Sequence, residues 1–280
     1  MIPKRPLRLA ISTCPNDTFA FAGLMGRTVD WRGLEFAVDL VDIETLNQRV
    51  VRGDFDISKV SFAAALAAAA DVVVLPVGAA LGFGVGPLLL AASEGRQPRD
   101  DSQLTLCPGR HTTASLLFDL FHPHTTRVEQ VVFSEIMPRL RSGTADFGVC
   151  IHEGRFTWRR ENLALVEDLG SRWEADTGCP LPLGGIVANR RLPRDVTATA
   201  CRVVADSLRL ALADPASALP TMRTHAQEFD DDVLMRHVDL YVNRWTIDLG
   251  GEGRRALDEL AARAAAVTGL TRRLDVFADV

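Results

Sequence analysis

Residues 84–93 read GVGPLLLAAS and residues 181–190 read LPLGGIVANR. In each, glycine and proline precede an apolar run of strand length that ends in polar residues. Glycine and proline interrupt whatever element comes before them, and a short apolar run bounded by such signals predicts a buried strand. The two segments bracket residues 94–180, which hold strand and helix patterns of their own. A chain that leaves through the first segment and returns through the second builds two lobes joined by a two-strand hinge. The expected division places residues 1–90 together with 190–280 in one lobe and residues 91–189 in the other.

Outside the hinge, short apolar runs alternate with helical patterns through the first two-thirds of the chain. Predicted strands include 7–12, 34–41, 55–60, 72–77, 104–107, 128–133, 146–151 and 163–169. Predicted helices between them include 43–52, stopped by Gly53, and 112–121. This alternation implies βαβ units and a largely parallel sheet. The stretch SFAAALAAAA, 61–70, predicts a buried helix whose small residues let it lie close to a sheet. Beyond Asp195 the strand signals stop. Amphipathic patterns over 195–213, 215–228, 231–242 and 252–267 predict a helical tail, with Asp230 to Asp232 offering carboxylates to a helix N-terminus. The fold class is therefore α/β, a two-lobed arrangement of the type II periplasmic-binding-protein kind, with a two-strand hinge and a helical C-terminal tail.

The 280 residues are 47% hydrophobic and 24% charged, as expected of a globular protein with a substantial core. The net charge of -5 gives no basic field for a nucleic-acid partner. No run approaches the roughly 18 apolar residues needed to cross a bilayer, so no membrane insertion is expected. Lys4, Arg5 and Arg8 precede only a brief apolar run, too short for an export core. The five cysteines (Cys14, Cys107, Cys150, Cys179 and Cys201) are odd in number and form no CxxC pair. That pattern predicts thiols in a reducing compartment, and so a cytoplasmic location with no metal site.

Four strand-to-helix turns concentrate polar residues, and in open α/β sheets such turns gather where ligands bind. The first is STCPNDTF, 12–19, in which Ser12 and Asn16 offer neutral hydrogen-bond donors. Cys14 could serve as a nucleophile at a helix start, but isolated thiols are more often packing residues. The second is Lys59 to Ser61. Lys59 is one of two lysines among 31 basic residues, and its compact ammonium suits a carboxylate or enolate. The third is PGRHTT, 108–113, where Thr112 and Thr113 combine hydroxyls with the N–H groups of a helix start, a setting that favours anions. The fourth is HEGRF, 152–156, where His152 could act as a general base near neutral pH, tuned by Glu153 or Arg155. His122, His124, His225 and His237 have no convergent partners in sequence and read as surface or helix-packing residues. No histidine pair has the i, i+4 spacing of a metal-binding helix.

In order along the chain, STCPNDTF, KVSFAA (59–64), LGFGVGPL (81–88), PGRHTT, IHEGRFT (151–157) and LPLGGIVA (181–188) resemble the 1,4-dihydroxy-6-naphthoate synthases of the futalosine route to menaquinone. The resemblance runs from residue 7 to about residue 248. It implies a cofactor-free lyase that takes a small-molecule carboxylate, cyclic dehypoxanthine futalosine, to 1,4-dihydroxy-6-naphthoate and a three-carbon fragment. By match to the family motifs, His152 would accept the proton, while Lys59, Ser61, Thr112 and Thr113 would contact substrate. Two rivals share the fold: an organic-anion-binding protein without chemistry, and a lyase of the chorismate dehydratase type. A short N-terminus without a signal segment counts against the first. The STCPNDTF and HEGRF segments favour the naphthoate synthase over the second.

Overall fold

The computed structural model describes residues 5–151, 154–225 and 230–278. The chain runs β1 (Leu7–Ile11), α1 (Pro15–Ala20), α2 (Ala22–Met25), β2 (Phe36–Leu40), α3 (Ile43–Val51), β3 (Ile57–Ser61), α4 (Phe62–Ala67), β4 (Val72–Val74) and β5 (Ala80–Gly82). There follow β6 (Leu88–Ala91), β7 (Leu104–Cys107), α5 (Thr113–Phe121), β8 (Arg127–Gln130), α6 (Phe133–Arg141), β9 (Phe147–Cys150), α7 (Gly154–Thr157), β10 (Ala164–Asp168) and α8 (Leu169–Thr177). The long strand β11 (Leu181–Asn189) precedes α9 (Arg194–Ala213), α10 (Pro215–His225), α11 (Asp231–Tyr241), α12 (Arg244–Ile247) and α13 (Gly250–Thr268).

The strands form two sheets. The first has the order β2-β1-β3-β11-β4, with β5 also paired to β11; the second has the order β10-β6-β9-β7-β8. In the first, β1 is parallel to β2 and β3 because helices carry the chain back across the sheet between them. In the second, β7 is parallel to β8 and β9. The two strands that follow a passage between sheets run the other way: β6 is antiparallel to β9 and β10, and β11 to β3, β4 and β5. A single largely parallel sheet is thus replaced by two mixed ones. Sheet membership puts β6 in the second sheet and β11 in the first, so the chain crosses within 83–87 and 169–180.

At the crossing the backbones touch. A Cβ built on Gly86 would lie 2.2 Å from the Cα of Gly170, so neither position has room for a side chain. Arg155 fastens the same place, donating to the Gly86 carbonyl at 2.6 Å and to Asp168 at 2.8 Å. The register of β11 against β3 sets Gly184 beside Ser61 and Ile186 beside Lys59. That pairing carries a polar strand end to the crossing.

Burial follows the apolar patterning. Leu7, Leu9 and Ile11 of β1 pack with Phe19 and Phe21 against Val203, Val204 and Leu208 of α9. A second cluster runs continuously from Phe62 and Val74 of the first sheet's lobe to Phe118, Phe147 and Trp173 of the other, and includes Leu257 and Leu260 of α13. Helix α13 packs on α4, β11 and α5, elements that lie before, after and between the two crossings. The alanine-rich helix α4 buries Ala64 and Ala65 fully. Asp230 caps α11, accepting from the backbone N–H groups of Asp232 and Val233. Of the helices described, none is long and apolar enough to cross a membrane.

Candidate functional site between the two sheets

One cavity collects the ends of these elements. Ser12, Cys14, Asn16 and Asp17 come from the β1–α1 turn, Lys59 and Ser61 from β3, and Gly86 and Pro87 from the first crossing. Thr112, Thr113 and Ala114 come from the start of α5, Ile151 from the end of β9, Leu183 and Gly184 from β11, and His237 and Tyr241 from α11. Ser12, Asn16, Lys59, Ser61, Thr112 and Thr113, predicted from sequence as ligand-contacting, all line it. His152 and Glu153 lie outside the described residues; Ile151, which precedes them, lines the cavity.

The first sheet supplies a charged network. Lys59 is 5% exposed and its Nζ lies 2.7 Å from Oδ1 of Asp17, itself 3% exposed. Nζ also donates to the Gly78 carbonyl at 3.1 Å. The Asp17 carboxylate accepts further from Ser12 Oγ at 2.5 Å and from Asn16 Nδ2 at 3.0 Å. Ser12 Oγ in turn accepts from the Cys14 N–H at 3.2 Å. Two charges withdrawn from water are tolerated when the pair is close and further hydrogen bonds share the load, and here Lys59 has a carbonyl and Asp17 two side-chain donors beyond the pair itself. Pro15, at the first position of α1, shapes the turn that makes this possible, since its fixed φ suits a helix start.

The second lobe supplies neutral hydroxyls at the start of α5. Thr112 caps α5, its Oγ1 accepting from Ser115 N at 3.1 Å and donating to the Gly109 carbonyl at 2.8 Å. Thr113 Oγ1 donates to the Leu183 carbonyl at 2.8 Å and so ties α5 to the returning strand. Gly109 has φ of +120°, and a Cβ there would lie 2.4 Å from Oε2 of Glu44, so the turn packs directly on α3. Asn47 of α3 bridges both sides: Nδ2 donates to Ser61 Oγ at 3.1 Å and to the His111 carbonyl at 3.3 Å, while Oδ1 accepts from Ser61 N at 2.8 Å.

None of the five cysteines is in a disulfide. Burial pushes the Cys150 and Cys201 thiols up to about 12, and the Cys107 thiol up as well, so these three are poor nucleophiles near neutrality.

Three residues of the site were passed over in the sequence. Asp17 sits inside STCPNDTF but reads there as an ordinary first-turn carboxylate. Asn47 carried a usable signal, because it falls on the apolar face of α3 between Leu46 and Val50, where an amide needs a partner. His237 corrects an expectation: it is 6% exposed, lines the cavity, and lies 3.1 Å from Asn16 across 221 positions of sequence. No local pattern could have shown that. His122, by contrast, pairs with Glu167 at 2.6 Å and stacks on Phe118. Arg155 serves the crossing, as described above.

Two sheets joined by a double crossing, with polar strand ends facing a shared cavity, define a two-lobed protein with a periplasmic-binding-protein-like fold. Solved structures agree. The chain matches protein AF1704 of Archaeoglobus fulgidus at a TM-score of 0.87 and 29% identity, covering 95% of this chain and 98% of that one. It matches the alkanesulfonate-binding protein SsuA of Xanthomonas axonopodis at 0.71 and 12% identity over 98% and 96%, a likeness of fold alone. Residues 7–266 match the family described as menaquinone biosynthesis. Among curated proteins, the chain is 42% identical to a 1,4-dihydroxy-6-naphthoate synthase of Thermus thermophilus over 93% of its length and 94% of that protein's. It is 40% identical to one of Streptomyces coelicolor, over 93% of each. The chain belongs to the menaquinone-biosynthesis family, in the group that contains these 1,4-dihydroxy-6-naphthoate synthases.

Proposed function

We propose that the chain catalyses the carbon–carbon lyase reaction for which those relatives are named, converting cyclic dehypoxanthine futalosine to 1,4-dihydroxy-6-naphthoate with release of a three-carbon fragment. The observation that carries the reading is the meeting of STCPNDTF, the KVS strand end and the HTT helix start around one cavity. His152 is the general base, taking a proton next to a carbonyl. The negative charge that this leaves on oxygen needs donors already in place. Lys59, Ser61, Thr112, Thr113, Asn16 and Ser12 hold the substrate, and its carboxylate is suited to the first turn of α5. Closing the two lobes on the substrate excludes water and brings both walls to bear. Aromatisation of the new ring drives loss of the fragment. The reaction is run without metal or redox cofactor, in the cytoplasm.

The test is to incubate purified protein with cyclic dehypoxanthine futalosine and follow naphthalene absorbance. A new absorbance that scales with enzyme supports the reading. Tight binding with no turnover points instead to anion capture, and turnover of chorismate alone to the dehydratase.

A further inference from the structure

Asn47 belongs to both walls of the cavity, and its partners fix which way its amide faces. The Ser61 backbone N–H can only donate, so the Asn47 atom 2.8 Å from it is the carbonyl oxygen. The His111 backbone carbonyl can only accept, so the Asn47 atom 3.3 Å from it is the amide nitrogen. The other proton of that nitrogen goes to Ser61 Oγ at 3.1 Å. Asn47 is fully buried, and both ends of its amide are matched. The arrangement decides the state of Ser61. Its Oγ accepts from Asn47, which turns its own hydroxyl proton away from the amide. That proton has no acceptor among the described residues, and Ser61 lines the cavity. Nor does this Oγ act as a serine before a helix commonly does. Ser61 is the N-cap of α4, yet its side chain caps no N–H of the first turn.

We propose that Asn47 is a positioning residue, which fixes Ser61 as a hydrogen-bond donor to the substrate carboxylate. This rests on the lyase reading above. A serine hydroxyl left to itself is donor and acceptor at once and rotates to suit its surroundings. One whose oxygen is already engaged by an amide N–H offers its proton first, which suits a ligand oxygen that only accepts. Ser61 also stands beside the helix start to which the carboxylate is suited. The N–H of Ala63, two residues further on, lies 3.4 Å from Thr113 Oγ1, and Thr113 opens α5. The His111 carbonyl belongs to the same PGRHTT turn, so the amide that orients Ser61 is itself anchored on the opposite wall. Donor and helix start are thereby held at a fixed spacing around one anion. An asparagine kept only to fill the core of α3 would need neither the contact with Oγ nor the one across the cavity.

The test is a double-mutant cycle read in KM and kcat, with cyclic dehypoxanthine futalosine as substrate. Ser61→Ala keeps the backbone N–H on Asn47 and removes only the donor. Its KM is expected to rise about 10- to 100-fold, the worth of a hydrogen bond to a charged group, with kcat close to the parent's. Asn47→Leu leaves the hydroxyl in place but without its orienting partner, and KM should rise about 2- to 10-fold, again with little change in kcat. Added to Ser61→Ala, Asn47→Leu should leave KM nearly where the first substitution put it, because both act on one interaction. If Asn47→Leu does not fold, as judged by circular dichroism, Asn47→Ala replaces it in the same comparison. A rise in KM as large without the Ser61 hydroxyl as with it overturns the inference, as does a loss confined to kcat. An unchanged KM in Ser61→Ala overturns it whatever the Asn47 variants do. Each of these results leaves the lyase reading standing. A parent enzyme that does not turn this substrate over overturns both.

Discussion

The two walls of the cavity are built on opposite principles. The wall from the first sheet holds a buried ion pair, Lys59 with Asp17, cross-linked through Ser12 and Asn16. Among the described residues that line it, the wall from the second sheet presents Thr112 and Thr113, neutral hydroxyls at a helix start, each bonded to a backbone carbonyl. The first wall is a fixed charge distribution already neutral overall. The second is a set of dipoles able to favour an incoming anion. A two-lobed site divided in this way keeps its buried charges on one side and offers a helix start suited to an anion on the other.

Substitutions on each side break or sharpen that contrast. The largest effect on rate belongs to His152→Ala: binding of substrate, measured by calorimetry, should persist while turnover falls about 10²- to 10⁴-fold. Near-normal turnover would remove the base assignment. On the charged wall, Lys59→Met strands the Asp17 carboxylate, and the stability loss in urea unfolding should reach about 3–5 kcal/mol. Adding Asp17→Asn should recover much of it, because no buried charge is then left without its partner. If the single variant is as stable as the parent, the ion pair does not govern this wall. On the neutral wall, Thr113→Val removes one hydrogen bond and leaves the Leu183 carbonyl short of a donor, a cost of about 1–3 kcal/mol. Its KM should rise more than its kcat falls; the reverse would move Thr113 from holding substrate to the chemistry. The smallest effect is expected of Cys14→Ser, which should keep most turnover in a steady-state assay, whereas complete loss would revive Cys14 as a nucleophile.

What could be read in the chain beforehand was local. The first Gly–Pro segment marked a crossing, whereas the second is the strand β11 that follows one, with its proline and glycines inside the strand. The PGRHTT turn announced a helix start, and Thr112 does cap α5. The STCPNDTF turn was placed correctly between a strand and a helix, yet its most consequential member, Asp17, was not distinguished from its neighbours. A first-turn carboxylate is stabilised by the helix dipole whether or not a lysine approaches it. Lys59 stood out by rarity, while its partner was forty-two positions away. The direction of β6 and β11 was likewise not legible, because apolar strand patterns look alike whichever way the strand enters a sheet.

The sequence by itself determined most of the strands, though not the short β5, and which turns are polar, since each depends on residues within a few positions of one another. The tertiary structure decided which of those turns meet. It paired Lys59 with Asp17, bridged Ser61 to His111 through Asn47, and brought His237 from the helical tail against Asn16. Such contacts are set by the packing of helices and strands far apart in the chain, where side chains find their partners only after the core has closed.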